Sequence, residues 1–115
     1  MPAIDAYQFG RMTIDGRDYT KDLIIYPDGA IRENWWRLSG HFLMEYDIRD
    51  LLAADVQVLV VGTGASGMMR MDQKLIALLE NRGIELIAES TARAMKDFNT
   101  LYGQKRVGAC FHLTC

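Results

Sequence analysis

Hydrophobic and polar positions along this chain follow one period in the first third and another in the second half. Tyr7-Gln8-Phe9-Gly10-Arg11-Met12-Thr13-Ile14 alternates apolar and polar residues at several positions, and Asp15-Gly16 then supplies a hairpin signal. The return strand is expected from about Tyr19 through Leu23-Ile24-Ile25-Tyr26. Pro27-Asp28-Gly29 reads as a second turn, because Pro presets φ and Gly accepts positive φ, with a short strand near Ala30-Ile31-Arg32. Asn34 to Met44 has no clean period and is expected to be an irregular crossing segment. Asp47 is then expected to cap a short helix that puts Ile48, Leu51 and Leu52 on one face.

From Val56 the pattern changes. Val56 to Val61 is β-branched and apolar, the signature of a strand buried on both faces. Gly62-Thr63-Gly64-Ala65-Ser66-Gly67 reads as a loop, and Asp72 as the N-cap of a helix running to about Asn81. That helix is expected to turn Leu75, Ile76, Leu78 and Leu79 inward, with Gly83 at its C-cap. A strand over Ile84 to Glu89, a helix capped by Ser90 or Thr91 and closed by Gly103, and a last strand over Arg106 to Leu113 complete the pattern. Strand, helix, strand, helix, strand at this spacing implies parallel βαβ units. The expectation is one α/β domain over 1–115, a sandwich whose sheet is extended by an N-terminal β-hairpin.

Composition narrows the function classes. With 115 residues, half of them apolar, the chain can bury roughly 65% of its unfolded surface, enough for a core without metal or disulfide staples. A net charge of −2 with mixed signs lacks the basic footprint that nucleic-acid binding needs. The longest apolar run, Val58-Leu59-Val60-Val61, is far short of the roughly 20 residues that span a bilayer. Residues 1–10 carry Asp5 and read neither as a signal peptide nor as a transit segment, so a cytoplasmic location is expected. Cys110 and Cys115 would lie about 16 Å apart on a strand at ~3.3 Å per residue, beyond disulfide reach, which predicts two reduced thiols.

Four constellations carry candidate chemistry. Gly62 to Gly67 matches GxGxxG after a buried strand, with Glu89 some 22 residues on, as in a dinucleotide fingerprint. Against a nucleotide cofactor, Met68-Met69-Arg70-Met71 separates the loop from the helix cap at Asp72. The narrower reading is an anion or carboxylate site made by loop N–H groups with Thr63, Ser66 and Arg70; the alternative is a tight turn that needs φ > 0. Ser66 lacks the GxSxG elbow of a hydrolase, and only His41 and His112 are available as bases. Cys110-x-His112-x-x-Cys115 offers three ligands where zinc usually takes four, and a buried Cys with a satisfied His is the competing reading. Trp35-Trp36-Arg37, with Arg32, reads as one tryptophan in the core and one on an interface. The Met68, Met69, Met71 cluster is either core filling or an adaptable contact surface.

Several short motifs occur in a fixed order: Tyr7-x-Phe9-Gly10-Arg11, Asp15-Gly16-x-x-Tyr19-Thr20-x-Asp22, Trp35-Trp36-Arg37, Gly40-His41, Gly62-Thr63-Gly64-x-x-Gly67 and His112-Leu113-Thr114-Cys115. Together they resemble a family of small α/β domains of unknown function that includes the mitochondrial complex I assembly factor 3 and the adipogenesis-associated domain protein. The resemblance runs nearly end to end. It implies a three-layer fold around a central mixed five-stranded sheet, and it implies no cofactor and no catalytic residues.

The function expected from these readings is a non-enzymatic protein-interaction or complex-assembly domain. Its contact surface would centre on Trp35, Trp36 and Arg37, and its partner would be another protein or a second copy in a homodimer. The alternative is a small-molecule or anion-binding domain, with or without enzymatic activity, using Gly62, Thr63, Gly64, Ser66, Gly67 and Arg70. No metal, nucleic acid or membrane insertion is expected in either case.

Overall fold

Residues 2–115 are described by a computed structural model. The chain opens with three short strands, β1 (Ile4–Gln8), β2 (Arg11–Ile14) and β3 (Arg17–Tyr19), paired antiparallel in that order as a sheet of their own. Then follow β4 (Leu23–Ile25), β5 (Ile31–Arg32), β6 (Phe42–Leu43), a 3-10 turn (Glu45–Ile48), α1 (Arg49–Leu52), β7 (Val58–Thr63) and β8 (Arg70–Met71). The last elements are α2 (Gln73–Asn81), β9 (Glu85–Glu89), α3 (Thr91–Leu101) and β10 (Val107–His112).

The central sheet has the order β5-β4-β10-β7-β9. Strand β7 runs parallel to both β10 and β9, whereas β4 is antiparallel to β10 and β5 to β4. This is the mixed five-stranded sheet that the resemblance implies, with the βαβαβ half that the pattern predicts. Every residue of β7 and β10 is buried, as their β-branched and small apolar sequences require.

Alternation along the strands divides two cores. Leu23, Ile25, Val58, Val60, Val107, Ala109 and Phe111 face one side. There they meet Ala94 and Phe98 of α3 and Ile4, Met12, Ile14 and Tyr19 of the N-terminal sheet. Phe98 packs edge-on against Phe111 at 6.2 Å and is fully buried, a burial that contributes about 1.5–3 kcal/mol. Ile24, Leu59, Val61 and Cys110 face the other side, against Trp35, Leu43, Leu51, Met69, Leu75 and Leu79. The result is three layers.

Several local expectations need correction. The run Tyr7–Ile14 is not one strand: it folds back at Phe9-Gly10, pairing Tyr7 with Met12 and Gln8 with Arg11. Gly10 has φ +79 and donates its N–H to the Leu113 carbonyl at 2.8 Å, so the bend docks onto the C-terminal segment. The run Tyr19–Tyr26 likewise breaks at Thr20-Lys21-Asp22, so β3 stays in the small sheet and β4 alone enters the central one. The small sheet therefore packs on the central sheet rather than extending it. Asp15-Gly16 does form the β2–β3 turn, with φ of +50 and +80.

On the helical side, Asp72 caps α2 by accepting the Lys74 N–H at 3.2 Å. Leu75 and Leu79 are buried, Leu78 flanks them and Ile76 is half-buried. Asp47 lies inside the 3-10 turn rather than ahead of a helix, and its carboxylate accepts from the Met44 and Leu38 N–H groups.

Candidate functional site

The carboxyl ends of the parallel strands β7 and β10 open where the irregular segment 33–41 crosses them, and polar groups concentrate there. Asp22 lies just before β4, Arg37 lies on the crossing segment and His112 closes β10. Asp22 Oδ2 stands 2.9 Å from Arg37 Nη2 and 2.8 Å from His112 Nδ1, while its Oδ1 accepts the Leu113 N–H at 2.8 Å. The Arg37 and His112 side chains are only 5% and 6% exposed. Burial alone would push the Asp22 carboxyl up. Hydrogen bonds from His112 and the Leu113 N–H, with the Arg37 charge, outweigh it and hold the group below the usual carboxylate range.

The ionised Asp22 has no proton to give, so its short contact with His112 puts a hydrogen on Nδ1. Arg37 Nη2, at 3.1 Å from the same Nδ1, completes the triangle through their shared carboxylate. Arg37 Nε also donates to the Gly40 carbonyl at 2.8 Å, and its guanidinium lies 4.7 Å above the Trp35 ring. Trp35 is buried and donates its indole N–H to the Asp47 carbonyl at 2.9 Å. Trp36, next to it, is 80% exposed.

A cleft of about 270 Å³ runs over this cluster, lined among others by Lys21, Asp22, Trp35, Trp36, Arg37 and His112. Beside it the His41 ring meets His112 edge-on at 5.4 Å, and Cys115 Sγ is 3.8 Å from His41 Nε2. Among the described residues no group of three His, Cys, Asp or Glu is arranged to hold a metal. Cys110 of the Cys-x-His-x-x-Cys run is fully buried in the core, where burial pushes its thiol up to about 12. Cys115 is exposed, and both thiols are free.

The glycine loop sits at the same end of the sheet, but its amides are engaged with the chain itself. The Gly64 N–H donates to Thr91 Oγ1, Ala65 to the Thr114 carbonyl, Gly67 to the Gly64 carbonyl and Met68 to the Cys115 carbonyl. Gly64 has φ +108, and a Cβ there would lie 2.6 Å from the Cys115 oxygen. Thr91, fully buried, ties loop to strand by also donating to the His112 carbonyl at 2.6 Å. Gly62 and Thr63 belong to β7, where Thr63 Oγ1 donates to the Glu89 carbonyl. Ser66 and Arg70 are exposed, and among the described residues Arg70 makes no ion pair. Strand β8, pairing with β6, lies between the loop and α2, so the helix N-terminus does not meet the loop as in a dinucleotide site.

Residue types alone left Asp22 and Lys21 out of any site and cast His112 as a satisfied core histidine. A signal was present in the ordered motifs: Asp22, Trp35-Trp36-Arg37, Gly40-His41 and His112 are far apart in sequence and meet in this one cluster.

Residues 4–112 match a family model described as a protein of unknown function, DUF498/DUF598. The chain belongs to this family. Among solved proteins of similar structure is a conserved hypothetical protein of Pyrococcus horikoshii, 33% identical, with a TM-score of 0.87 over 97% of this chain and 98% of that one. A Bartonella henselae protein described as an outer membrane protein is 26% identical, with a TM-score of 0.80 over 99% and 96%. A Xenopus tropicalis protein described as NADH dehydrogenase [ubiquinone] 1 alpha subcomplex assembly factor 3 is 24% identical over 106 residues. That match covers 92% of this chain but 57% of the relative, so the chain spans little more than half of the assembly factor's length.

Proposed function

We propose that this DUF498/DUF598 domain is a non-enzymatic interaction module that engages another protein through the segment around Trp36. The observation that carries this reading is the way Trp36 and Leu38 are presented. They are 80% and 70% exposed, yet each neighbour is anchored. Trp35 is buried, Arg37 is held by Asp22 and Gly40, and the Leu38 N–H is bound to Asp47 Oδ1. Large apolar side chains held outward on a fixed backbone lose little conformational freedom on binding, and Trp is enriched at interface hot spots. Phe9 and Met68, also exposed, sit on segments that hydrogen-bond to Leu113 and Cys115, so they fringe the same end of the molecule.

A family relative described as an assembly factor supports this class of role. The partner is taken to be a different protein, with a homodimer as the competing arrangement, and the site of action to be the cytoplasm. A photoreactive residue at position 36 or 38 tests the reading: it is expected to trap one discrete heavier adduct in cells, whereas the same residue at exposed Ala77 of α2 traps none. Equal labelling from all three positions would reject it.

The second reading, an anion or small-molecule site at Gly62 to Gly67 with Arg70, draws support from the exposed Arg70 side chain, which makes no ion pair among the described residues. It has fewer free donors than the motif suggests, because the amides of Gly64, Ala65 and Gly67 in the loop, and that of Met68 after it, are already bonded.

A further inference from the structure

Two polar atoms in the cluster over β10 are unaccounted for. Arg37 Nη1 and His112 Nε2 are buried, and neither has a hydrogen-bond partner among the described residues. Leaving such groups unpaired costs about 1–3 kcal/mol each, more when charged. The rest of each side chain is fixed: Nδ1 of His112 is turned to Asp22, and Nε and Nη2 of Arg37 are committed to Gly40 and Asp22. Stacking over Trp35 stabilises the Arg37 charge but gives Nη1–H no lone pair in its plane.

We infer that the Asp22–Arg37–His112 cleft is a carboxylate-binding site, with Arg37 Nη1 and His112 Nε2 as its polar contacts and Trp36 as its apolar wall. Lys21 and Arg37 against Asp22 leave the lining with one excess positive charge before any proton on His112. The cleft's volume of about 270 Å³ is below the roughly 300–1,000 Å³ of drug-sized pockets, which suits one acid group on a small apolar body. With a hydrogen on Nδ1 turned to Asp22, Nε2 is the ring nitrogen left for a ligand. One carboxylate oxygen therefore accepts from Arg37 Nη1–H, and the other shares a single added proton with Nε2. That proton is supplied by solvent. The charged and titratable groups facing His112 are Asp22, Arg37 and the His41 ring.

The acid has two sources: a free small carboxylic acid, or an acidic side chain of a partner. Three probes separate them: benzoate, its neutral isostere benzamide, and a capped Leu-Glu-Leu peptide compared with Leu-Gln-Leu. Titration of the full chain followed by side-chain NMR is expected to show saturable shifts of the Arg37 and His112 resonances with benzoate and none with benzamide. Lys21→Gln and Trp36→Ala leave the buried triangle intact and are expected to weaken benzoate about tenfold or less, whereas Arg37→Met abolishes binding. Should Arg37→Met not fold, the two surface variants carry the test. A Glu peptide binding more tightly than benzoate assigns the source to a protein partner, and the reverse order assigns it to a free acid. Shifts that fail to saturate, that benzamide reproduces, or that fall on Ser66 and Arg70 instead would overturn the site. None of these outcomes depends on the crosslinking at positions 36 and 38.

Discussion

Replacing Gly64 with Ala is the sharpest perturbation of the seat on which the C-terminal segment rests. Two costs combine. At φ +108 an L-residue is held in a sparsely populated region, which costs about 1–3 kcal/mol. The new Cβ would also meet backbone, the Cys115 oxygen at 2.6 Å and the Thr114 oxygen at 2.7 Å, so relief requires the segment to move away. Moving it loosens the Ala65 to Thr114 and Met68 to Cys115 hydrogen bonds, about 1 kcal/mol apiece. The expected loss is about 3–5 kcal/mol. Gly67→Ala is the control: φ is +69, but its Cβ would touch only Thr63 Oγ1 at 3.5 Å, so strain alone applies, about 1–2 kcal/mol. Urea unfolding of the two variants and the parent gives the comparison. Equal losses, or a larger one at Gly67, would refute the argument that the loop is shaped to receive residues 114–115.

Asp22→Asn is expected to lower stability by about 3 kcal/mol at neutral pH, since it leaves Arg37 and His112 buried beside a neutral amide. Because the folded-state value of Asp22 is depressed, its contribution is full above its ordinary 3.8 and is lost as pH falls through the lower folded value. Melting temperatures of parent and variant should therefore draw together as the pH falls below 3.8. Glu89 behaves in the opposite sense: a hydrogen bond with the Asp97 carboxyl, aided by burial and by that group's charge, raises it above 4.5. Its favourable contribution is present below the ordinary value and lost as pH rises, so Glu89→Gln should raise the melting point at pH 7 and leave it unchanged in acid; a drop at pH 7 would contradict the pairing. A thiol reagent on the native protein should modify exposed Cys115 rapidly and buried Cys110 only after denaturant is added, whereas two fast thiols would place Cys110 outside the core.

The C-terminal half of the fold was legible because each element there obeys a local rule. The apolar run of β7, the Asp72 cap and the Gly83 and Gly103 closures, at φ +69 and +91, are one-dimensional signals that tertiary packing did not override. The N-terminal strands were misjoined because Phe9-Gly10 and Thr20-Lys21-Asp22 break for non-local reasons. Gly10 turns to meet Leu113, and Asp22 leaves the strand to bind His112 and Leu113, some 90 residues away. The glycine loop was recognised as a special backbone, but spacing alone could not say whether its amides meet a ligand or the chain's own Thr114 and Cys115 carbonyls. The site cluster was invisible to spacing, since Asp22, Arg37 and His112 share no periodicity and meet only through the crossing of segment 33–41 over β10.

The central claim is that Trp36 and Leu38 are held outward to engage another protein. It is tested most directly by native affinity capture with the parent chain and with a Trp36→Ser/Leu38→Ser variant, after melting curves show that the two are equally stable. One protein co-eluting in near-stoichiometric amount with the parent, and reduced at least about tenfold with the variant, is the predicted result. The same co-eluting set with both chains, or none with either, would contradict the account.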